Sequence, residues 1–186
     1  MRIISGKFKG QKIQFIKSNI TRPLKDSVKE NIFNIITHSN AINLDIQGAK
    51  VIDLYSGAGS FGIECISRLS EKVVFFDRDQ VAVNKLKENL KNLSLGNQTL
   101  IVKDDVENIL KWVRQEKFDL FFCDPPFSDQ KFMNVLEKIK KSKIFKKKHL
   151  IIIHRERRTE DNLIKCVNIK ISRIYGRSKI IFGTFN

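Results

Sequence analysis

Cysteine, histidine and proline are scarce in this chain, and so are acidic residues and long apolar runs. The three cysteines, Cys65, Cys123 and Cys166, are widely separated, odd in number and form no C-x-x-C pair. That argues against a disulfide framework and against zinc, and they read as buried thiols. His38, His149 and His154 are equally scattered, so no metal site is expected. The longest aliphatic run is residues 150–153, whereas about 20 apolar residues are needed to cross a bilayer. The opening Met1-Arg2-Ile3-Ile4-Ser5-Gly6-Lys7 carries charge but neither the apolar core nor the cleavage site of a signal peptide, which predicts a cytosolic protein. The 20 Asp and Glu are outnumbered by 35 Lys and Arg, a net charge of +15. Such an excess favours a polyanionic partner, nucleic acid ahead of an acidic membrane surface.

From Lys50 onward, short β-branched and aromatic runs alternate with helical patterns, the rhythm of βα units around a parallel sheet. Near-continuous apolar runs at residues 50–54, 72–76, 99–102, 118–123 and 150–154 predict five strands covered on both faces. Between them Val81, Leu86, Leu90 and Leu93, then Val106, Ile109, Leu110 and Val113, then Phe132, Val135, Leu136 and Ile139 stand near helical spacing, as core-facing stripes do. Residues 165–174 and 179–185 flank Tyr175-Gly176-Arg177-Ser178, predicting a terminal antiparallel hairpin. The expected architecture is α/β and Rossmann-like: a mostly parallel seven-stranded sheet with that hairpin and a small basic N-terminal extension. Residues 1–45 form the extension and residues 46–186 the catalytic domain. In the extension, residues 2–4 and 11–15 flank a small basic hairpin, and a helix is expected at 26–37. Arg2, Lys7, Lys9, Lys12, Lys17, Arg22, Lys25 and Lys29 are interleaved there with Phe8 and Phe15. That mixture suits phosphate contact with base stacking, and equally a solvated face with two core phenylalanines.

The first predicted strand ends in Asp53-Leu54-Tyr55 and runs into Ser56-Gly57-Ala58-Gly59-Ser60-Phe61-Gly62. Glycines there let the backbone turn tightly against a ligand. Asp53, just before them, could meet the positive end of an amino-acid-bearing cofactor, whereas beside a pyrophosphate it would be a liability. Asp77 ends the second strand, where an acid can take ribose hydroxyls. Asp79 competes for that role, or caps the next helix. Asp104 and Asp105 follow the third strand; either could accept from an adenine amine, Asp105 being favoured, or cap a helix near Val106. This loop suits a dinucleotide or S-adenosylmethionine.

Asp124-Pro125-Pro126-Phe127 decides between them. Such a tetrapeptide arises by chance in on the order of one in a hundred chains of this length, and here it falls at the end of the fourth strand, which neighbours the first at the switch point of a doubly wound sheet. An exocyclic amine on a base has a delocalised lone pair, so methyl transfer requires orienting that nitrogen in line with the leaving thioether. Asp124 could accept one N–H and the Pro125 carbonyl the other. Phe127 could stack on the base, and Pro125 and Pro126 fix the direction of the carbonyls.

With these residues, the chain resembles the bacterial RsmD family, which methylates N2 of a guanine in small-subunit 16S ribosomal RNA. The likeness covers nearly the whole chain: Arg2-Ile3-Ile4-Ser5-Gly6-Lys7-Phe8-Lys9-Gly10, Thr21-Arg22-Pro23, Asp26-Ser27-Val28-Lys29-Glu30-Asn31-Ile32-Phe33, the stretch from Asp53 to Gly62, Asp124-Pro125-Pro126-Phe127 and Tyr175-Gly176. The resemblance implies S-adenosylmethionine held at Asp53, Gly57, Gly59, Asp77 and Asp105, with Tyr55, Ser56, Arg78 and Val106 on the same turns. It also implies a guanine site at Asp124, Pro125, Pro126 and Phe127, and RNA contacts at Arg2, Lys7, Lys9 and Arg22. Two positions depart from the family's habit: Asp77 stands for a glutamate, and His154-Arg155 follows the fifth strand where an acid is usual. The implied partner is ribosomal RNA in the small subunit or its assembly intermediate, and nothing in the sequence demands a second protein subunit, so a monomer is expected. Competing readings are a DNA adenine-N6 methyltransferase, for which about 45 N-terminal residues leave little room to read a duplex, a dinucleotide-dependent oxidoreductase, and a non-catalytic RNA-binding protein.

Overall fold

The computed structural model describes residues 1–15 and 24–186, so the expected RNA contact Arg22, with Lys17 and Pro23, lies outside the described residues. Seven strands form one sheet: β1 (Lys50–Leu54), β2 (Lys72–Phe76), β3 (Thr99–Val102), β4 (Phe118–Cys123), β5 (Phe145–Glu156), β6 (Val167–Tyr175) and β7 (Ser178–Phe185). Their order is β3-β2-β1-β4-β5-β7-β6. β1 to β5 run parallel and β7 lies antiparallel between β5 and β6, the Rossmann-like arrangement with a terminal hairpin expected above. The first four strands coincide with their apolar runs, because both faces of the sheet are covered and no polar alternation interrupts them. β5 begins at Phe145, well before the expected Leu150. Its early part is cationic and reads as loop, but Lys146 Nζ reaches Asp119 at 2.8 Å and Phe145 pairs with Phe118 across a register shift. Lys165 falls in a short 3-10 turn, and the hairpin closes more tightly than expected, at Gly176-Arg177.

Among the described residues, five helices cover the sheet: α1 (Asp26–His38), α2 (Ser60–Ser67), α3 (Gln80–Asn92), α4 (Ile109–Val113) and α5 (Phe132–Ser142). α1, α2 and α3 build the core on one face with Val51, Val73, Phe75 and Phe122. α4 and α5 build the other with Ile52, Val74, Phe121 and Ile153. Phe61 of α2 stacks on Phe122 at 3.9 Å and on Phe33 of α1 at 5.2 Å. Cys65, Cys123 and Cys166 are buried free thiols. Val81 corrects the expected stripe of α3: it is 60% exposed, and Ala82, Val83, Leu86 and Leu90 face the core. Asp79 caps this helix, accepting from the N–H groups of Val81 and Ala82, so Val81 sits in the outward first turn.

The N-terminal residues lie along α2. A single antiparallel bridge, Arg2 to Lys12, closes their hairpin, and Ile3, Ile13, Val28, Ile32 and Phe33 enter the same core as α2. The anchor is Glu64, fully buried on α2. Its carboxylate accepts from the N–H groups of Ile4 at 2.7 Å and Ser5 at 3.0 Å and from Arg68 Nε at 2.9 Å. Lys29 Nζ stands 3.6 Å away, also fully buried, and donates to the Arg2 carbonyl and Ser60 Oγ. Lys29 is therefore no phosphate contact: on an amphipathic helix it reads as surface, but it faces an acid supplied by another helix.

Removing one partner of a buried pair strands the other charge, which costs about 3–5 kcal/mol. Urea unfolding should show a loss of that size for Glu64→Ala, and a smaller loss for the apolar double replacement Lys29→Met with Glu64→Leu. Equal losses would mean that the uncompensated ammonium is not the source of the cost.

Candidate active site

β1 ends in a turn forced out of extended geometry, with Tyr55 at φ 59° and Gly57 and Gly59 at φ 54° and 82°. Gly59 is the N-cap of α2, and a Cβ there would meet Leu86 at 2.4 Å, whereas one on Gly57 would enter open space. Gly59 is thus required by packing. Gly57 leaves its backbone accessible to whatever lies beyond the strand ends. Asn89 of α3 holds the loop from behind, its Nδ2 donating to the Ala58 carbonyl at 3.0 Å. The Ser56 hydroxyl is buried without a hydrogen-bond partner among the described residues, and the buried Tyr55 hydroxyl is set towards Asp129.

Three carboxylates converge there. Asp53 is 1% exposed, and its Oδ2 accepts from the Gly62 N–H at 2.9 Å. Burial, reinforced by Asp124 and Asp77, pushes the Asp53 carboxyl well above the usual range despite that N–H. Asp77 accepts from the Gly57 N–H at 2.7 Å and from the Asp79 N–H at 2.9 Å, and burial raises it too. Across the ends of β2 and β3, Arg78 Nη1 reaches Asp105 Oδ2 at 3.3 Å. Asp105 also caps the 3-10 turn that opens with the buried Val106, accepting from the Glu107 N–H at 3.0 Å. Asp104 is committed to Asn108, Trp112 and the Asp105 N–H. A cation seated beside Asp53, Asp77 and Asp124 would relieve the burial and repulsion that raise Asp53, whereas a diphosphate would add to the repulsion. The residues present fit a positively charged, amine-bearing cofactor.

Asp124-Pro125-Pro126-Phe127 faces this loop because β4 pairs with β1, and the Asp124 N–H donates to the Leu54 carbonyl at 3.3 Å. Asp124 Oδ1 lies 2.8 Å from His154 Nδ1, and His154 Nε2 lies 2.9 Å from Ser178 Oγ. Facing an ionised carboxylate, which only accepts, Nδ1 is the donor, and in the neutral imidazole Nε2 then accepts from the Ser178 hydroxyl. The imidazole also meets the Phe127 ring edge-on, with centroids 5.8 Å apart. Arg155, 2% exposed, clamps the turn. It donates to the Pro126 and Phe127 carbonyls at 3.1 Å each, pairs with Asp161 at 2.8 Å and lies over the Phe132 ring at 4.5 Å. The carbonyl of Pro125 and the second oxygen of Asp124 accept nothing from the described residues, so the two acceptors expected to hold an amine are those left open.

The structure thus gathers Asp53, Tyr55, Ser56, Gly57, Gly59, Asp77, Arg78, Asp105, Val106 and the Asp124 to Phe127 turn at the carboxyl ends of the parallel strands. Of the expected RNA contacts, Arg2 lies against the base of the glycine loop, since Lys29 Nζ donates both to its carbonyl and to Ser60 Oγ. Among the described residues, no hydrogen bond or ion pair ties the Lys7 or Lys9 side chain to the site. All three are exposed; Lys7 bonds through its N–H to the Ser67 carbonyl at the far end of α2, and Arg2 lies 3.9 Å from Asp26. Sequence reading noted His154-Arg155 only as a departure and missed Ser178, Asp161 and Asn89. The available signal was the placement of His154 at the end of the strand beside β4.

A family model described as "Conserved hypothetical protein 95" matches residues 1–184. YlbH of Bacillus subtilis (strain 168), named as a candidate rRNA methyltransferase, is 35% identical over 162 residues, 86% of this chain and 85% of that protein. The Haemophilus influenzae protein named ribosomal RNA small subunit methyltransferase D is 35% identical over 129 residues, 68% of this chain and 64% of its own length. Among solved structures, the candidate methyltransferase yhhF from Escherichia coli superposes with a TM-score of 0.81 at 20% identity, covering 100% of this chain and 98% of that one. The fold is that of a Rossmann-like methyltransferase.

A carboxyl whose folded-state value is raised contributes stability below its unfolded value and loses it as pH rises through the folded one. Asp53→Asn and Asp77→Asn should therefore gain little thermal stability over the ligand-free wild type at acid pH, and progressively more towards neutrality. A melting series over pH checks this; a gap between variant and wild type that narrows with rising pH would contradict it.

Proposed function

This chain belongs to the RsmD family, the family of Conserved hypothetical protein 95, and from that premise we propose that it methylates the exocyclic N2 amine of a specific guanine in small-subunit 16S ribosomal RNA, with S-adenosylmethionine as donor. The observation that carries the reading is that the glycine loop and the Asp124 turn end paired strands, with Asp124 Oδ2 and the Pro125 carbonyl accepting nothing from the described residues. The relatives named as rRNA methyltransferases support RNA as the substrate. S-adenosylmethionine supplies an electrophilic methyl group on a sulfonium.

In this reading Asp53 and the Tyr55 to Gly59 turn hold the cofactor's amino-acid end, Asp77 its ribose and Asp105 with Val106 its adenine. Arg78 keeps Asp105 in place. Asp124 and Pro125 each accept one N–H of the guanine amine, which aims the nitrogen's lone pair at the methyl carbon and offsets the positive charge that develops on nitrogen. Asp124 would accept the N–H proton that the amine gives up on becoming methylated. His154, fixed by Ser178, keeps the carboxylate oriented for this. Phe127 offers a ring to the extruded base, and Arg155 holds the turn against the pull of the substrate. The basic extension, with Arg2, Lys7, Lys9 and Arg22, takes RNA phosphates. The chain acts as a monomer on the small subunit or its assembly intermediate, in the cytoplasm.

Mass spectrometry of nuclease-digested 16S RNA from cells with and without this protein tests the reading directly. N2-methylguanine is expected to fall only when the protein is absent; an unchanged level, or transfer in vitro to duplex DNA and not to unmodified small subunits, would overturn it. Asp124→Ala should lower kcat by about 10²–10³-fold, the scale of losing one preorganised polar contact in a transition state, while the melting shift given by S-adenosylhomocysteine persists. His154→Asn, which keeps an N–H near Asp124, should retain more activity than His154→Leu.

A further inference from the structure

Beside the catalytic turn, at the same edge of the sheet, lies a groove of ≈ 530 Å³ lined by Glu156, Arg157, Arg158, Gly176 and Arg177. Two turns build it. In the first, the Thr159 N–H donates to the Glu156 carbonyl at 3.1 Å, which places Arg157 and Arg158 at the two central positions. In the second, Gly176 and Arg177 are the central pair between β6 and β7. Most residues are tolerated at the central positions of common turns, so the turns do not themselves select three arginines. The turns are also locked to each other. The Arg157 N–H donates to the Arg177 carbonyl at 2.8 Å, Arg177 Nη2 reaches Glu156 at 2.9 Å, and Lys179 Nζ bonds the Thr159 carbonyl.

All three guanidinium groups lie on exposed residues, and one acid, Glu156, partly offsets them, leaving a net cationic groove on a rigid frame. The groove is contiguous with the chemistry through short links: Ser178, next to Arg177, holds His154, and Arg155, next to Glu156, holds the Pro126 and Phe127 carbonyls. Guanidinium forks match phosphate oxygens, and a base held at Asp124 keeps its flanking phosphates within a nucleotide or two of this edge.

We propose that Arg157, Arg158 and Arg177 form a binding site for the RNA backbone phosphates next to the target nucleotide, so that this groove, with the N-terminal extension, sets the strand's register on the enzyme. The proposal rests on the RNA methyltransferase reading above. It separates two tasks: the Asp124 turn orients the amine and the arginine groove holds the strand.

The test uses the full chain and 16S RNA from cells lacking the protein, with methyl transfer and filter binding measured independently over a range of salt. For the triple variant Arg157→Gln, Arg158→Gln, Arg177→Gln, the slope of log affinity against log salt should flatten by about 2, at roughly 0.7 per lost single-strand phosphate contact. The KM for RNA should rise with kcat changed far less, and the melting shift given by S-adenosylhomocysteine should match the wild type. Lys147→Gln with Lys148→Gln, exposed at the opposite end of β5, serves as the charge control and should leave KM near wild type. An unchanged slope and KM in the triple variant, or an equal effect per charge in the control, would overturn the groove as a site. Wild-type protein that binds RNA through these arginines but transfers no methyl would sink the methyltransferase reading and leave the groove standing; no RNA binding by the wild type would sink both.

Discussion

The carboxyl ends of β1 and β4 are held side by side by a parallel pairing that runs to Leu54 and Cys123, and the Asp124 N–H carries it one residue further by bonding the Leu54 carbonyl. Everything in the candidate site hangs on that register. It sets the glycine turn after Leu54 against the proline turn after Cys123. A slip of one residue would turn the side chains of β4 to the other face of the sheet. Both strands are buried on both sides, so the slip is opposed by two hydrophobic cores at once.

Buried charges then fix what the strands bring together. Arg155 holds the Asp-Pro-Pro-Phe turn by its own carbonyls, and Asp161 keeps the guanidinium compensated. On the opposite side of the glycine loop, Glu64 and Lys29 hold the first residues of the chain against α2. Such pairs add little net stability, because desolvation offsets their attraction, but breaking one is costly. Their effect here is geometric: Arg155 fixes the turn by the Pro126 and Phe127 carbonyls and leaves that of Pro125 unpaired among the described residues.

What the sequence made legible follows from the range of the forces involved. β1 to β4 were readable because strands covered on both faces leave uninterrupted apolar runs, and the glycine and proline turns because their chemistry is local. The start of β5 was not, since Lys146 becomes strand only through Asp119 on a neighbouring strand. Lys29 read as surface for the same reason, its partner lying on another helix. His154 and Ser178 meet because β7 folds back antiparallel on β5, in a register that pairs His154 with Ile180 and Glu156 with Ser178. No local pattern encodes that diagonal. Asp105 held two readings open, and the structure places it in the cap and in the Arg78 pair while leaving it at the mouth of the loop.

The central claim is that the glycine turn and the Asp-Pro-Pro-Phe turn form one site with a single direction of transfer. A crystal structure with S-adenosylhomocysteine bound measures it. The account predicts the adenine beside Asp105, the ribose hydroxyls on Asp77, and the sulfur turned towards Asp124 and Pro125 with room for one methyl group between them. A ligand bound with its sulfur directed away from that turn, or bound elsewhere on the protein, would contradict it.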